Sequence, residues 1–103
     1  MRLQKTIKIR ERDVESYLVK RVRMLGGEVR KVQWIGRRGA PDRLVMLPGR
    51  DHLGDWLGTI WVEVKAPGKT PEPHQLREHK RMRDMGQRVV VVDSFEAVDE
   101  LLR

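Results

Sequence analysis

The spacing of apolar residues predicts a helix that follows a short basic arm. Residues 1–10 mix basic and apolar side chains and are interpreted as an N-terminal arm. From Glu11 onward, apolar residues recur at three- and four-residue intervals, which is typical of an amphipathic helix: Val14, Tyr17, Leu18, Val22 and Leu25. Gly26-Gly27 is predicted to end this helix, because glycine adopts the left-handed C-terminal conformation at little cost.

Three strands are predicted next. Residues 28–34 alternate imperfectly between polar and apolar side chains, and residues 42–47 form a second strand closed by Pro48-Gly49. Residues 50–58 are predicted as a turn or short excursion, and residues 59–66 as the third strand. The short connection favours antiparallel pairing of the second and third strands as a hairpin.

The last part of the chain predicts a helix, a strand and a helix. After a loop rich in proline and glycine, a helix is expected from about Pro73 to Met85. The uniformly apolar strand 88–92 implies burial on both faces, and hence a central or parallel position. Ser94 is expected to cap the last helix. Because strand, helix and strand in succession imply a right-handed parallel crossover, the order predicts an α/β fold with a mixed sheet covered by helices.

The size and charge of the chain indicate how many domains it forms and what kind of partner it binds. Its 103 residues suit one domain, predicted to span residues 1–103, with one modest core. Lys and Arg number 22 against 15 Asp and Glu, a formal net charge of +7 that favours a nucleic-acid partner. The alternative is a solvated basic surface without a dedicated partner. The absence of cysteine excludes disulfides, a catalytic thiol and cysteine-ligated metals.

The N-terminal residues and the apolar runs indicate where in the cell the protein is expected. Residues 1–12 contain no continuous hydrophobic segment of the kind a secretory signal has. The longest purely aliphatic run, Val89 to Val92, is far too short to span a bilayer. We therefore expect a cytoplasmic protein without a membrane partner.

Two acids and a lysine form the candidate chemistry. Glu63 and Lys65 lie two positions apart on a predicted strand, so both project from one face. Antiparallel pairing can bring Asp42 beside Glu63, and two adjacent carboxylates repel unless a cation or a proton lies between them. Mg²⁺ or Mn²⁺ suits such oxygens, with the Val64 carbonyl as a plausible third ligand.

Lys65 completes what would be a minimal phosphodiesterase. Beside a metal-bound water it could orient the nucleophile, assist its deprotonation or stabilise charge on the phosphorus. Each short string also has an ordinary interpretation. Pro-Asp dipeptides start turns, and Glu-x-Lys alternation solubilises exposed strands.

Four motifs in this order resemble a known nuclease family. Pro41-Asp42 with Glu63-Val64-Lys65 resembles the PD-(D/E)xK signature. The finer pattern resembles its virus-type replication-repair branch, VRR-NUC. That branch has a glutamate in the first helix, then Gly-x-Pro-Asp, then Val-Glu-x-Lys-x-Pro-Gly, and then a glutamine opening the next helix. The matching positions are Glu15, Gly39 to Asp42, Val62 to Gly68, and Gln75.

The resemblance implies both a fold and a set of roles. It implies a restriction-endonuclease-like core of α-β-β-β-α-β order, with Asp42 and Glu63 ligating the metal and Lys65 catalytic. Glu15 would lie near the metal through water, and Gln75 would orient Lys65 or contact the substrate. Stand-alone relatives of this size resemble phage or prophage proteins, are similar to Holliday-junction resolvases and tend to form homodimers. The expected substrate is therefore branched or structured DNA in replication or repair.

Several basic residues are candidates for nucleic-acid contact. Arg37 and Arg38 lie in the flexible loop before Asp42, where they suit phosphate contacts or simply solubilise the loop. Arg43, where the family commonly has an aliphatic residue, could also reach a phosphate. Arg77 belongs to a basic series on the second predicted helix that could follow a duplex backbone, although exposed helix faces are often this basic.

The remaining tryptophans and histidines have ordinary interpretations. Trp34 and Trp61 are predicted to be structural, and Trp56, in a turn, is a candidate dimer contact. His52, His74 and His79 are interpreted as surface histidines, because their spacing does not suit a shared zinc ion. Two functions stay open at this point: a metal-dependent endonuclease, and a nuclease-like fold that only binds nucleic acid.

Overall fold

The chain folds as the predicted sequence of helix, three strands, helix, strand and helix. In a computed structural model, which describes residues 7–103, residues 7–10 carry no regular structure. The elements are α1 (Glu11–Met24), β1 (Glu28–Lys31), β2 (Arg43–Arg50), β3 (Trp56–Val64), α2 (Pro73–Asp84), β4 (Val89–Val92) and α3 (Phe95–Leu101). The predicted arm thus lies mostly outside the described residues. No helix within residues 7–103 is both long and apolar enough to cross a membrane.

The four strands form one mixed sheet in the order β1-β2-β3-β4. The β1–β2 and β2–β3 pairs are antiparallel, and β3 pairs in parallel with β4. The parallel position predicted for β4 is therefore confirmed, but β4 lies at the edge of the sheet, so a central position is wrong. Burial of both faces is incomplete, since Val90 and Val91, which point to opposite faces, each keep some exposure.

The core lies between α1, the sheet and α3. Three residues one helical turn apart on α1 are fully buried, as the predicted apolar face requires. They meet inward-facing residues of three strands and of α3; the fully buried members are Val14, Leu18, Val22, Val45, Ile60, Val62, Val92 and Val98. Each such side chain contributes about 1.5–3 kcal/mol when it leaves water, so this cluster fixes α1 over the sheet.

Polar contacts at the helix ends hold α3 against α1. The Ser94 hydroxyl accepts a hydrogen bond of 3.0 Å from the Ala97 amide, which confirms the predicted cap. Tyr17 packs its ring 4.7 Å from that of Phe95 and donates its hydroxyl at 2.7 Å to Asp99. The two Tyr17 contacts join α1 to α3, which lie far apart in the sequence.

The strand boundaries correct the sequence prediction in two places. The first strand ends at Lys31 instead of residue 34, because Trp34 turns inward and donates its indole N–H to the Pro41 carbonyl at 2.9 Å. The second strand does not close at Pro48-Gly49 but continues to Arg50, with a shift of register between Leu47 and Arg50. Such an irregularity accommodates a proline that cannot donate to the ladder.

The hairpin is consequently longer than predicted. The third strand begins at Trp56 instead of residue 59 and ends at Val64 instead of residue 66. The turn shrinks to residues 51–55, where the Asp51 carboxylate accepts hydrogen bonds from the amides of Leu53 and Asp55 at 2.8 and 3.0 Å. The hairpin tip lies at the end of the strands opposite to Asp42 and Glu63.

Candidate active site

Asp42 and Glu63 lie next to each other across the β2–β3 pair. Arg43 pairs with Val62, so the preceding residue, Asp42, lies at the level of Glu63. The Asp42 side chain is half exposed, whereas Glu63 is buried. The hairpin register thus brings together the two acids that the sequence separates by twenty-one positions.

Burial and neighbouring charges raise the pKa of Glu63 to about 7. Loss of hydration is the main cause of the higher pKa, and the Asp42 and Glu11 carboxylates raise it further, while Lys65 and Arg43 oppose them. A substantial fraction of Glu63 is therefore protonated near neutral pH. A bound cation would favour the ionised carboxylate, so the electrostatics fit a cation site.

The donor set also fits a hard divalent ion. Two carboxylates at the same level of the sheet suit Mg²⁺ or Mn²⁺, which keep several waters and need few protein ligands. Val64, the predicted third ligand through its carbonyl, is buried as the last residue of β3. Across residues 7–103 there is no cluster of three or more His, Cys, Asp or Glu side chains arranged for a metal.

Lys65 follows β3 directly and contacts Gln75. Its Nζ donates to Gln75 Oε1 at 2.9 Å. The same oxygen accepts from the Glu72 amide at 2.8 Å, because Gln75 occupies the third position of a capping box at the start of α2. One amide oxygen thus joins the lysine to the first turn of α2 and limits where the ammonium group can lie.

Arg43 lies between Glu15 and Asp42 and forms an ion pair with each of them. The Arg43 guanidinium binds both Glu15 oxygens, with Nε to Oε1 at 3.0 Å and Nη2 to Oε2 at 2.8 Å, and its Nη1 lies 2.7 Å from Asp42 Oδ1. This hydrogen bonding is the main reason why the pKa of Glu15 is lowered. Arg43 is buried, so it faces two carboxylates and little solvent. Its predicted phosphate contact stays a prediction.

The loop before Asp42 is attached to α2 by Arg37. The Arg37 guanidinium forms a bidentate pair with Glu78, at 2.9 Å through Nε and 2.6 Å through Nη2, and Arg81 adds a bond of 3.0 Å. Hydrogen bonds from Arg37 lower the pKa of Glu78 most. Arg38 and Arg77 are exposed, as a nucleic-acid contact requires, but nothing else about them indicates a ligand.

The backbone conformation and the packing at position 39 explain why the motif before Asp42 contains a glycine. Its φ is +87°, which disfavours other residues, and a Cβ there would lie 2.8 Å from the His74 carbonyl oxygen. The loop therefore passes against the start of α2 at backbone contact distance. Asp42 and Gln75 are held at a fixed separation by this approach.

The interpretation of His79 as a surface histidine is wrong. His79 is fully buried, with its Nε2 3.3 Å from Glu63 Oε1. Burial, reinforced by Arg83 and Lys65, lowers the pKa of His79, which favours the neutral ring. The available signal was helical spacing, because Gln75, His79 and Met82 recur at four- and three-residue intervals on one face.

Two further acids near the site were missed by sequence reasoning. Glu11, the first residue of α1, contributes to the raised pKa of Glu63. Glu78 lies on the inward face of α2. The pattern of apolar residues cannot indicate either position, since both depend on contacts between distant segments.

The tryptophans beside the site are structural, as predicted. The Trp34 and Trp61 rings pack with centroids 5.0 Å apart. Trp61 also donates its indole N–H to Gln87 at 3.2 Å. Trp56 is exposed and stacks under the Arg50 guanidinium at 3.9 Å, on the hairpin away from the acids. Its role in a dimer contact stays a prediction.

Known proteins resemble the chain in sequence and in fold. No protein-family model matches it. It is 49% identical over 86 residues to "Putative nuclease p44" of Acyrthosiphon pisum secondary endosymbiont phage 1, a match covering 84% of this chain and 85% of that protein. A solved structure described as a VRR_NUC domain matches with a TM-score of 0.75 and 46% sequence identity, covering 89% of this chain and 92% of that one.

These matches and the geometry agree. A mixed sheet flanked by helices, with paired acids at adjacent strand ends, is the α/β nuclease-like core that the motifs predicted. At this level of identity and coverage, the chain belongs to the VRR-NUC family.

Proposed function

We propose that the protein is a Mg²⁺- or Mn²⁺-dependent endonuclease that hydrolyses phosphodiester bonds in branched or otherwise structured DNA. The observation that carries this proposal is the register that sets Asp42 beside the buried Glu63, with Lys65 two residues further on. A domain that only binds DNA gains nothing from two acids facing phosphate. Membership of the VRR-NUC family supports the same activity.

The proposed roles follow from the position of each side chain. Asp42, Glu63 and the Val64 carbonyl would hold the ion, which supplies charge stabilisation and a more acidic water when it is bound. Lys65, held by Gln75, orients the attacking water or stabilises negative charge on the phosphoryl group. Water oxygen bonds to phosphorus, the 3′ oxygen leaves and takes up a proton, and the product keeps a 5′-phosphate.

The surface charge supports DNA as the substrate. The chain carries a formal net charge of +7, and Arg38 and Arg77 lie exposed on the loop before Asp42 and on α2. Such side chains position a nucleic acid through its phosphates without reading its sequence. A preference for structured DNA would then come from shape, and a homodimer would allow two strands to be cut. Mass measurement in solution tests the dimer.

A panel of DNA substrates tests the proposal. Fluorescent four-way junctions, flaps and linear duplexes are incubated with Mg²⁺, Mn²⁺ or EDTA. We expect cleavage with either ion, a preference for branched substrates and no cleavage in EDTA. Asp42→Ala and Glu63→Ala should each abolish cleavage, whereas Glu96→Gln, at an exposed acid on α3, should not.

The alternative function is a nuclease-like fold that binds nucleic acid without cutting it. Full cleavage by either alanine variant would overturn the proposed site. Tight DNA binding without any cleavage, and without uptake of a divalent ion, would favour the alternative. Circular dichroism of each variant confirms that the fold is intact.

A further inference from the structure

His79 is a polar side chain that is fully buried. It lies on the inward face of α2 with no exposed surface, between Glu78 and the apolar Met82 of the same buried face. A buried imidazole without hydrogen bonds destabilises the fold, so its polar contacts need an explanation. Its one side-chain partner within the described residues is Glu63.

The two ring nitrogens of His79 have different surroundings. Nε2 lies 3.3 Å from Glu63 Oε1, whereas Nδ1 is cut off from solvent and has no partner in the part of the chain that the structure describes. A neutral imidazole carries one N–H, and a buried N–H without an acceptor is costly. The proton therefore belongs on Nε2, which donates to Glu63.

The two oxygens of Glu63 are correspondingly distinct. Oε1 accepts from His79, while Oε2 accepts no hydrogen bond from residues 7–103. His79 Nδ1 is the sole side-chain polar atom of those residues that is both sealed from solvent and without a partner. The Glu63 side chain as a whole keeps 10% of its surface exposed, so the carboxylate retains some access to solvent.

We propose that His79 is a positioning residue, whose Nε2–H fixes Glu63 Oε1 so that Oε2 is presented to the divalent cation. The inference rests on the proposed function, since it assumes that Glu63 is a ligand. Groups that hydrogen-bond to a ligating carboxylate typically change metal affinity 10- to 100-fold when they are removed. Without His79, the Glu63 carboxylate would lose the contact that fixes its orientation.

Calorimetric titration with Mn²⁺ at pH 8 tests the effect on affinity. His79→Met fills the space without a donor, and we expect it to weaken Mn²⁺ binding about 10- to 100-fold. His79→Gln, whose amide can donate, should recover most of the affinity. Met82→Leu, on the same buried face, should bind as the wild type does. Equal affinity of His79→Met and wild type would overturn the inference, as would a loss that His79→Gln does not relieve.

A second measurement needs no folded variant at position 79. Long-range ¹H–¹⁵N correlation spectra of the wild-type protein report which ring nitrogen of a histidine is protonated. His52→Gln and His74→Gln assign the His79 signals, because the chain has three histidines. We expect the Nε2–H tautomer at pH 8, and an Nδ1–H or doubly protonated ring would overturn the inference.

Failure of this inference is distinguishable from failure of the proposed function. Wild-type protein that binds no Mn²⁺ and cuts no DNA contradicts the function, while the spectra still report the His79–Glu63 contact. Wild-type binding that His79→Met leaves unchanged contradicts the positioning role alone.

Discussion

At the scale of single residues, the site combines a carboxylate that is hard to ionise with a lysine that is held in place. Burial raises the pKa of Glu63 to about 7, and Lys65 is attached to α2 through Gln75. A cation beside Glu63 would favour its charged form, whereas Lys65, in the proposed mechanism, acts on the attacking water or on the phosphoryl group. Substitutions of the two residues should therefore have different effects. A Glu63 variant should lose cation binding, whereas a Lys65 variant should lose cleavage rate and keep DNA affinity.

Substitution of Lys65 should separate catalysis from binding. Lys65→Met is expected to lower the single-turnover cleavage rate at least about 100-fold, since it removes the group proposed to act on the reacting atoms. DNA affinity, measured by fluorescence anisotropy in Ca²⁺, should change by less than about threefold. Lys69→Met removes the same charge from the exposed loop nearby and should leave the rate unchanged. A Lys65→Met enzyme that cuts normally would contradict the assigned role.

At the scale of elements, α2 organises the site by contacting two separate segments. Its Glu78 and its His74 backbone contact the loop before β2. Its His79 and Gln75 contact the end of β3 and the lysine that directly follows it. None of these contacts belongs to the regular pairing of strands. The loop and the strand ends therefore keep their separation only while α2 is in place.

The close approach of Gly39 to α2 predicts a difference between two glycines in one loop. Gly39→Ala is expected to destabilise the fold by about 1–3 kcal/mol in urea denaturation, because the new Cβ meets the His74 carbonyl and φ is positive. Gly36 also has a positive φ, but a Cβ there contacts nothing within 4 Å, so Gly36→Ala should cost less. Equal effects of the two substitutions would contradict a packed contact at Gly39.

The Arg37–Glu78 pair predicts a dependence of stability on pH. Because Arg37 lowers the pKa of Glu78 below its ordinary 4.5, the pair stabilises the fold fully above that value. This stability is lost as the pH falls through the lower pKa of the folded state. Glu78→Gln should therefore lower the urea midpoint at pH 7, and the difference from wild type should shrink towards pH 3. A difference that stays constant with pH would contradict the ion pair.

The elements also show what the sequence could and could not predict. Apolar spacing predicted α1, and the proline and glycine residues around α2 predicted that helix, each within a residue or two. The predicted hairpin placed Asp42 beside Glu63. Pro48-Gly49 misled the prediction, because such a pair normally closes a strand but here lies in a shift of register. Glu78 was missed and His79 was wrongly assigned to the surface, since a polar residue on an inward helical face resembles a surface residue until its distant partner is known.

At the scale of the whole molecule, one end of the sheet carries the acids and the whole chain carries excess positive charge. DNA affinity should therefore depend strongly on salt, because bound phosphates release counterions. For the Asp42→Asn variant, which we expect to bind DNA without cutting it, the dissociation constant for a junction should rise at least about tenfold between 50 and 200 mM salt. Affinity that is independent of salt would contradict binding through the basic surface.

The central claim is that Asp42 and Glu63 form one cation site. Mn²⁺ titration by calorimetry at pH 8, where most of Glu63 is ionised in view of its pKa of about 7, tests it most directly. Wild type and the surface control Glu96→Gln should bind equally, and Asp42→Asn and Glu63→Gln should each weaken binding at least about tenfold. Equal Mn²⁺ binding by all four proteins, or no binding by the wild type, would contradict the claim.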